Sequence, residues 1–218
     1  MTRVEKIYRV ADYQIPVLRA VNLKVQSGET IAITGVSGVG KSTLLFVMGL
    51  LSPSDGGEIV LFNERVSFLD SRQAALIRRK HIGFVFQDFF LLPRMSAVEN
   101  VMLPLVQNYI PKPSARMQAE RMLCRVGLGE RLGHLPSELS GGEKQRVAIA
   151  RAFIHHPRLV LADEPTGNLD SSNTRNIIQL ISELLDNRSA LVLATHDPEL
   201  ASRCKTVYRM WDGYLEKV

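Results

Sequence analysis

Apolar positions along this chain fall into two kinds of run, and run length separates strands from helices. Four runs are short and almost wholly apolar: Thr30–Thr34 (TIAIT), Ile82–Phe86 (IGFVF), 159–162 (LVLA) and 190–195 (ALVLAT). They are too short and too uniform for an amphipathic surface helix, and they suit strands covered on both faces. From 91 to 154 the pattern turns helical. Ser114, after Pro113, can cap a helix carrying Ala119, Met122, Leu123 and Val126 at i, i+3, i+4 and i+7, with Gly127 as its stop. Ile177, Ile178, Ile181, Leu184 and Leu185 form the apolar face of another helix. Near the start, LRAVNLKV leads into Ser27-Gly28 and reads as strands and a turn of a small antiparallel sheet.

Strands alternating with helices predict an α/β fold around a mainly parallel sheet. The expected division is one domain over 1–218. Its core is 1–90 with 155–218, and 91–154 is a helical subdomain inserted between core strands.

Composition sharpens this in two respects. The apolar run at 44–51 (LLFVMGLL) is far shorter than the roughly 20 residues a membrane-spanning helix needs. The opening MTRVEKIYRVADYQ lacks the apolar stretch of a signal peptide. The expectation is a cytoplasmic protein with at most a peripheral membrane role. A net charge of +5 without any run of five or six like charges, and with 6% aromatic residues, gives no reason to expect nucleic acid. Cys124 and Cys204 lie far apart without CxxC pairing, so neither a metal or redox site nor a disulfide is expected.

The strongest local motif is GVSGVGKST, from Gly35 to Thr43, which fits GxxxxGK[ST]. It follows the predicted strand TIAIT and precedes the helical STLLFVMGLL, the context the motif requires. Gly35, Gly38 and Gly40 allow the backbone to approach an anion closely, so that N–H groups around Ser37, Val39 and Thr43 surround a phosphate. Lys41 supplies a point charge to the β- and γ-phosphates, and the Ser42 hydroxyl can ligate Mg²⁺. Downstream, RLVLADE ends an apolar strand in Asp163 and Glu164. In an open parallel sheet, ligands sit at the carboxyl ends of strands. Asp163 is expected to hold a Mg²⁺-bound water, and Glu164 to polarise the attacking water as general base. ALVLATHD ends another strand at His196, within expected reach of the γ-phosphate. His81, His134, His155 and His156 have no such context.

The run LSGGEKQ from Leu139 to Gln145, followed by RVAIAR, resembles the LSGGQ signature of ABC nucleotide-binding domains. Two glycines and a serine at a helix start offer a second anion site. The resemblance extends over nearly the whole chain with its motifs in the expected order. It implies the ABC ATPase fold: a P-loop NTPase with a RecA-like, mainly parallel sheet, an inserted helical subdomain and a small N-terminal antiparallel β-subdomain. It implies ATP and Mg²⁺ as ligands, with Tyr8 stacking on adenine. The segment after Tyr8 is Val10-Ala11-Asp12, without the family's usual glycine, so Tyr8 and Tyr13 both stay open for that role. Gln87 resembles the glutamine that contacts Mg²⁺ and couples to a partner, 165–170 (PTGNLD) the loop that crosses a dimer, and His196 the switch histidine.

The resemblance further implies that Ser140, Gly141, Gly142 and Glu143 act in trans on the nucleotide of a second copy. An integral membrane permease is expected to dock between Gln87 and Arg94, at the cytoplasmic face of a bacterial inner membrane. ADEPTGNLD and LSGGEKQRVAIARA are similar to the branch serving lipoprotein release, macrolide export and cell-division complexes, where Glu143 commonly replaces the signature glutamine. Two readings compete with transport: an ABC ATPase serving DNA or translation, and a regulatory switch that binds ATP without turnover. Only 139 − 41 = 98 positions separate Lys41 from Leu139, with no sustained heptads, which leaves no room for the long coiled coil of the chromosome-type members.

Overall fold

The computed structural model describes every residue except Phe68 and 168–170, and leaves the side chains of 171–175 undescribed. The described residues divide into two compact units, Met1–Arg78 with Ala190–Val218, and Arg79–Ser189.

The first unit opens with an antiparallel hairpin of β1 (Thr2–Val10) and β2 (Tyr13–Val21), in which Tyr8 lies opposite Ile15 and Val10 opposite Tyr13. The chain then enters β3 (Thr30–Thr34), the expected buried strand, and α1 (Lys41–Met48). β4 (Gly56–Glu58) pairs with the free side of β1 and completes a three-stranded antiparallel sheet, as the early pattern predicts. Gly57 is obligatory there: its φ is +79°, and a Cβ would run into the Arg3 carbonyl. A small hairpin of β5 (Val60–Leu61) and β6 (Glu64–Arg65) follows.

Next comes α2 (Ser71–His81), which the apolar pattern did not suggest. Only Ala74 is buried on it, so it has no apolar stripe to read. Its start is a reciprocal pair: Gln73 N–H donates to Asp70 at 2.7 Å, and Asp70 N–H to the Gln73 side chain at 3.1 Å.

The second unit holds β7 (Ile82–Phe86), α3 (Ala97–Gln107), α4 (Lys112–Arg125), α5 (Gly141–Phe153), β8 (Leu159–Asp163) and α6 (Ser171–Leu184). β7 and β8 are parallel, from Ile82 opposite Leu159 to Phe86 opposite Asp163. α5 lies so close over β7 that a Cβ on Gly83 would collide with the Ala152 carbonyl. The helix predicted to begin at Ser114 begins earlier. Pro111 is its N-cap and Pro113 sits in its first turn, so Ser114 is inside the helix. Gly127, at φ +74°, follows its C-cap as expected.

The chain returns to the first unit through β9 (Ala190–Ala194), the short α7 (Pro198–Ser202), β10 (Thr206–Trp211) and β11 (Tyr214–Lys217). β9 and β10 flank β3 in parallel, and β11 adds an antiparallel edge to β10. Among the described residues no helix is long and apolar enough to cross a membrane.

Candidate functional site

In the first unit, the loop between β3 and α1 takes the form its glycines predict. Gly35, Gly38 and Gly40 have φ of +149°, +79° and +110°. A Cβ on Gly35 would meet the Met210 carbonyl at 2.5 Å, and one on Gly40 the Val17 side chain at 2.9 Å. Any other residue at those two positions would open the loop. Gly40 is the N-cap of α1 and brings no side-chain cap, and the first turn holds no acid. The start of α1 is thus the positive end of a helix with neither a side-chain cap nor an acid in its first turn, a setting that favours an anion. The loop rim at Val36, Ser37 and Gly38 is exposed, as is Ser42 in the first turn, with Val39 and Thr43 half-buried. Lys41 is buried, and its Nζ donates to the carbonyls of Gly35 at 2.8 Å and Val36 at 3.2 Å. The ammonium thus bridges the loop whose amides would hold phosphate.

The strand register brings His196 to this place. β9 pairs with β3 so that Ala194 lies opposite Ile33, and Thr195 N–H donates to the Ile33 carbonyl at 3.0 Å. His196 and Gly35 are each two residues beyond that pair, at the same carboxyl edge. His196 is exposed there.

The hairpin register also separates the two tyrosines. Val17 borders Gly40 and is the extra residue where the hairpin register shifts, between Leu18 opposite Lys6 and Pro16 opposite Ile7. Tyr8 lies opposite Ile15, two residues along β2 from Val17. Tyr13 is four residues from Val17, roughly 13 Å along the strand, at the hairpin tip. Tyr8 carries Lys6 Nζ at 5.5 Å from its ring centroid and is 38% exposed, against 77% for Tyr13.

In the second unit, β8 delivers Asp163, half-buried, to its carboxyl end. Glu164 leaves the strand at φ +44°, a conformation that costs a non-glycine residue of order 1–3 kcal/mol. Phe86 pairs with Asp163, so Gln87 emerges beside Glu164. A Cβ on Gly167 would sit 2.9 Å from the Gln87 amide nitrogen, which fits a glycine at that point in the loop. Of the 165–170 segment, 168–170 lies outside the described residues.

The signature run opens α5, as predicted. Ser140 is its N-cap: its hydroxyl accepts from Glu143 N–H at 3.3 Å, and the Glu143 carboxylate accepts from Ser140 N–H at 2.8 Å. Arg131 Nε donates to the other carboxylate oxygen at 3.0 Å. The Ser140 N–H, the Ser140 hydroxyl and Arg131 together hold the Glu143 carboxyl down at about 2. Ser140 and Gly141 are exposed, while Gly142 is buried.

Four supporting side chains have no prominent sequence signal. Gln145 is fully buried, and its amide donates to the Pro165 carbonyl at 2.6 Å, joining the signature helix to the turn after Glu164. Arg151, on the same helix, donates to the carbonyls of Phe89 at 2.7 Å and Phe90 at 2.6 Å. These two consecutive residues are held at φ +61° and +45°, just past Gln87. Asn100, buried on α3, accepts from Leu92 N–H at 2.7 Å and donates to the carbonyls of Leu92, Met95 and Ser96. Arg131 is the fourth. Of these, Asn100 could have been suspected as an amide within the buried stripe Val98, Val101, Leu105, and Gln145 and Arg151 as the ends of the LSGGEKQ and RVAIAR runs.

Comparison with known proteins agrees with the geometry. The ABC transporter family model matches residues 18–167. The lipoprotein-releasing system ATP-binding protein LolD of Shewanella sp. (strain MR-4) is 47% identical over 216 residues, covering 99% of this chain and 94% of that protein. LolD of Francisella tularensis subsp. tularensis (strain FSC 198) is 46% identical over 218 residues, with the same coverage. The macrolide export ATP-binding/permease protein MacB of Syntrophobacter fumaroxidans is 44% identical, but the match spans 30% of that longer protein. Among solved structures, the dimeric post-hydrolysis state of the ATP-binding cassette MJ0796 bound to ADP and Pi superposes with a TM-score of 0.92 at 38% identity, covering 99% of this chain and 97% of that one.

Proposed function

The chain belongs to the ABC transporter family and is an ATP-binding ATPase, and on that premise we propose that two copies close on two ATP molecules to drive a membrane permease. The observation that carries this reading is a pair of helix starts in one chain: α1 after Gly40 and α5 after Ser140, each presenting first-turn amides to an anion. One γ-phosphate is bound by the Gly35–Thr43 loop of one copy and by Ser140, Gly141, Gly142 and Glu143 of the other. ATP then favours the closed pair because it contacts both copies only in that state, and hydrolysis removes the contact.

Within each copy, Tyr8 stacks on adenine. Lys41 exchanges its two loop carbonyls for the β- and γ-phosphates. Glu164 accepts the proton of the attacking water, and His196 hydrogen-bonds the γ-phosphate. Ser42, Gln87 and, through water, Asp163 are hard oxygen donors that fit Mg²⁺, an ion that keeps several waters and takes phosphate oxygens as its other ligands. Among the described residues no three His, Cys, Asp or Glu side chains form a group that could hold a metal ion. Bound there, Mg²⁺ would neutralise charge developing on the phosphates.

The permease docks between Gln87 and Arg94, where Phe90 is 61% exposed, and the chain works peripherally at the cytoplasmic face of the membrane. On this reading the chain works as a nucleotide-binding core (1–90, 155–218) and a signature-bearing subdomain (91–154). The two LolD proteins match over nearly their full length, which favours lipoprotein release or a related export as the driven process.

The test is Glu164→Gln. It should bind Mg-ATP, lose turnover by at least about 100-fold, and accumulate as a dimer in size-exclusion chromatography with light scattering. Near-normal turnover would remove Glu164 from its role. A variant monomeric at saturating ATP would remove the trans arrangement.

A further inference from the structure

The signature helix starts with a carboxylate where the proposed ligand is a phosphate. Glu143 is the third residue of α5, and its charge suits the positive end of the helix but opposes an incoming anion. Arg131 lies outside the signature, twelve residues earlier, in the short 3₁₀ turn Gly129–Arg131. The loop fixes its backbone. Leu128 is buried and donates its N–H to the Leu123 carbonyl at 2.8 Å, and Arg131 N–H donates to the Leu128 carbonyl at 3.0 Å. Just beyond, the Leu132 and His134 carbonyls accept the first N–H groups of α3, from Val98 and Ala97. From that anchored turn Arg131 Nε reaches the Glu143 carboxylate at 3.0 Å, and its Nη1 lies 3.4 Å from His134 Nε2. Both carboxylate oxygens are thereby occupied, one by Ser140 N–H and one by Arg131.

We propose that Arg131 is a positioning residue for ATP-driven closure. It holds the Glu143 carboxylate against the Ser140 N–H and cancels its charge, so that the Gly141 and Gly142 amides and the Ser140 hydroxyl meet phosphate without a net negative neighbour. This rests on the trans role of Ser140 proposed above. It assigns a function to a residue that lies outside the motif and explains how a signature with glutamate in place of glutamine binds an anion. The ion pair is not a strong brace for the fold, because the Arg131 side chain is 45% exposed and exposed pairs contribute little stability. Its importance lies in the local potential: one uncancelled charge near a phosphate changes affinity by about tenfold.

The experiment is a double-mutant cycle in the Glu164→Gln chain, reading the Mg-ATP concentration for half-dimerisation by analytical ultracentrifugation. Arg131→Met should raise that concentration about tenfold when Glu143 is present, and by less than about twofold when combined with Glu143→Gln. Arg131→Lys, which keeps the charge, should recover most of the loss. An equal effect of Arg131→Met in both backgrounds, or none in either, overturns the proposal, because a merely structural arginine would not distinguish glutamate from glutamine. A change in melting temperature common to both backgrounds identifies the structural part and is subtracted by the cycle. If the parent chain itself fails to dimerise with ATP, the trans reading falls, a result distinct from an intact parent with an unresponsive Arg131→Met.

Discussion

At the residue scale, a side chain in this protein acts either through its own spacing along the chain or through a partner that the fold brings to it. Gly35, Gly40, Lys41 and Ser42 were legible because the phosphate loop is contiguous, and the structure gives each glycine the conformation or close approach that only glycine meets. Glu143 was legible as a signature variant, but its ionisation was not, because Arg131 comes from another element. That ionisation can be measured. Its carboxyl is held at about 2, below an ordinary 4.5, first by Ser140 N–H, then by the Ser140 hydroxyl and Arg131. A depressed carboxylate contributes stability that is present above the unfolded value and is lost as pH falls through the folded one. The helix cap should therefore persist from neutral pH down to about 3 and fail only near 2. A carboxyl NMR titration of Glu143 should show no midpoint above pH 3. A midpoint near 4.5 would mean that the Ser140 and Arg131 contacts do not persist in solution.

At the element scale, the buried strands were readable almost to the residue. Thr30–Thr34 and Ile82–Phe86 match the predicted runs, and β8 and β9 differ from theirs by one residue at the carboxyl end. Strands buried on both faces are uniformly apolar, so their signal does not depend on knowing which side is covered. Helices were harder. α2 has one buried residue and no stripe, and α4 starts before Ser114 because Pro113 is tolerated in a first turn. The packing of α5 on β7 was also hidden, although it rests on a single hydrogen atom: Gly83 has no Cβ where the Ala152 carbonyl passes. Gly83→Ala must push the signature helix away from the strand that leads to Gln87. It should lower stability by about 1–3 kcal/mol, read as a denaturant midpoint shift. An unchanged midpoint would show that α5 is not seated as closely as the structure has it.

At the scale of the whole molecule, the proposed arrangement gives the signature helix of each copy to the nucleotide of the other. The chain carries a phosphate loop with lysine, a strand-end pair of carboxylates and a histidine, and it also carries a second helix start, capped by Ser140 and Glu143 and braced by Arg131. If that second site completes the nucleotide site of another copy, catalysis is a property of the pair, and its rate depends on how often pairs form. Specific ATPase activity should then rise with chain concentration: steeply while monomers dominate, levelling once pairs are saturated, and falling toward zero on dilution at constant ATP. The midpoint of that curve should shift to higher chain concentration in Arg131→Met, with the plateau little changed, because the substitution weakens closure and leaves Glu164 and Lys41 in place. Activity per chain that is constant over a hundredfold dilution would mean that each copy hydrolyses ATP alone. The helix start at Ser140 would then need a different ligand.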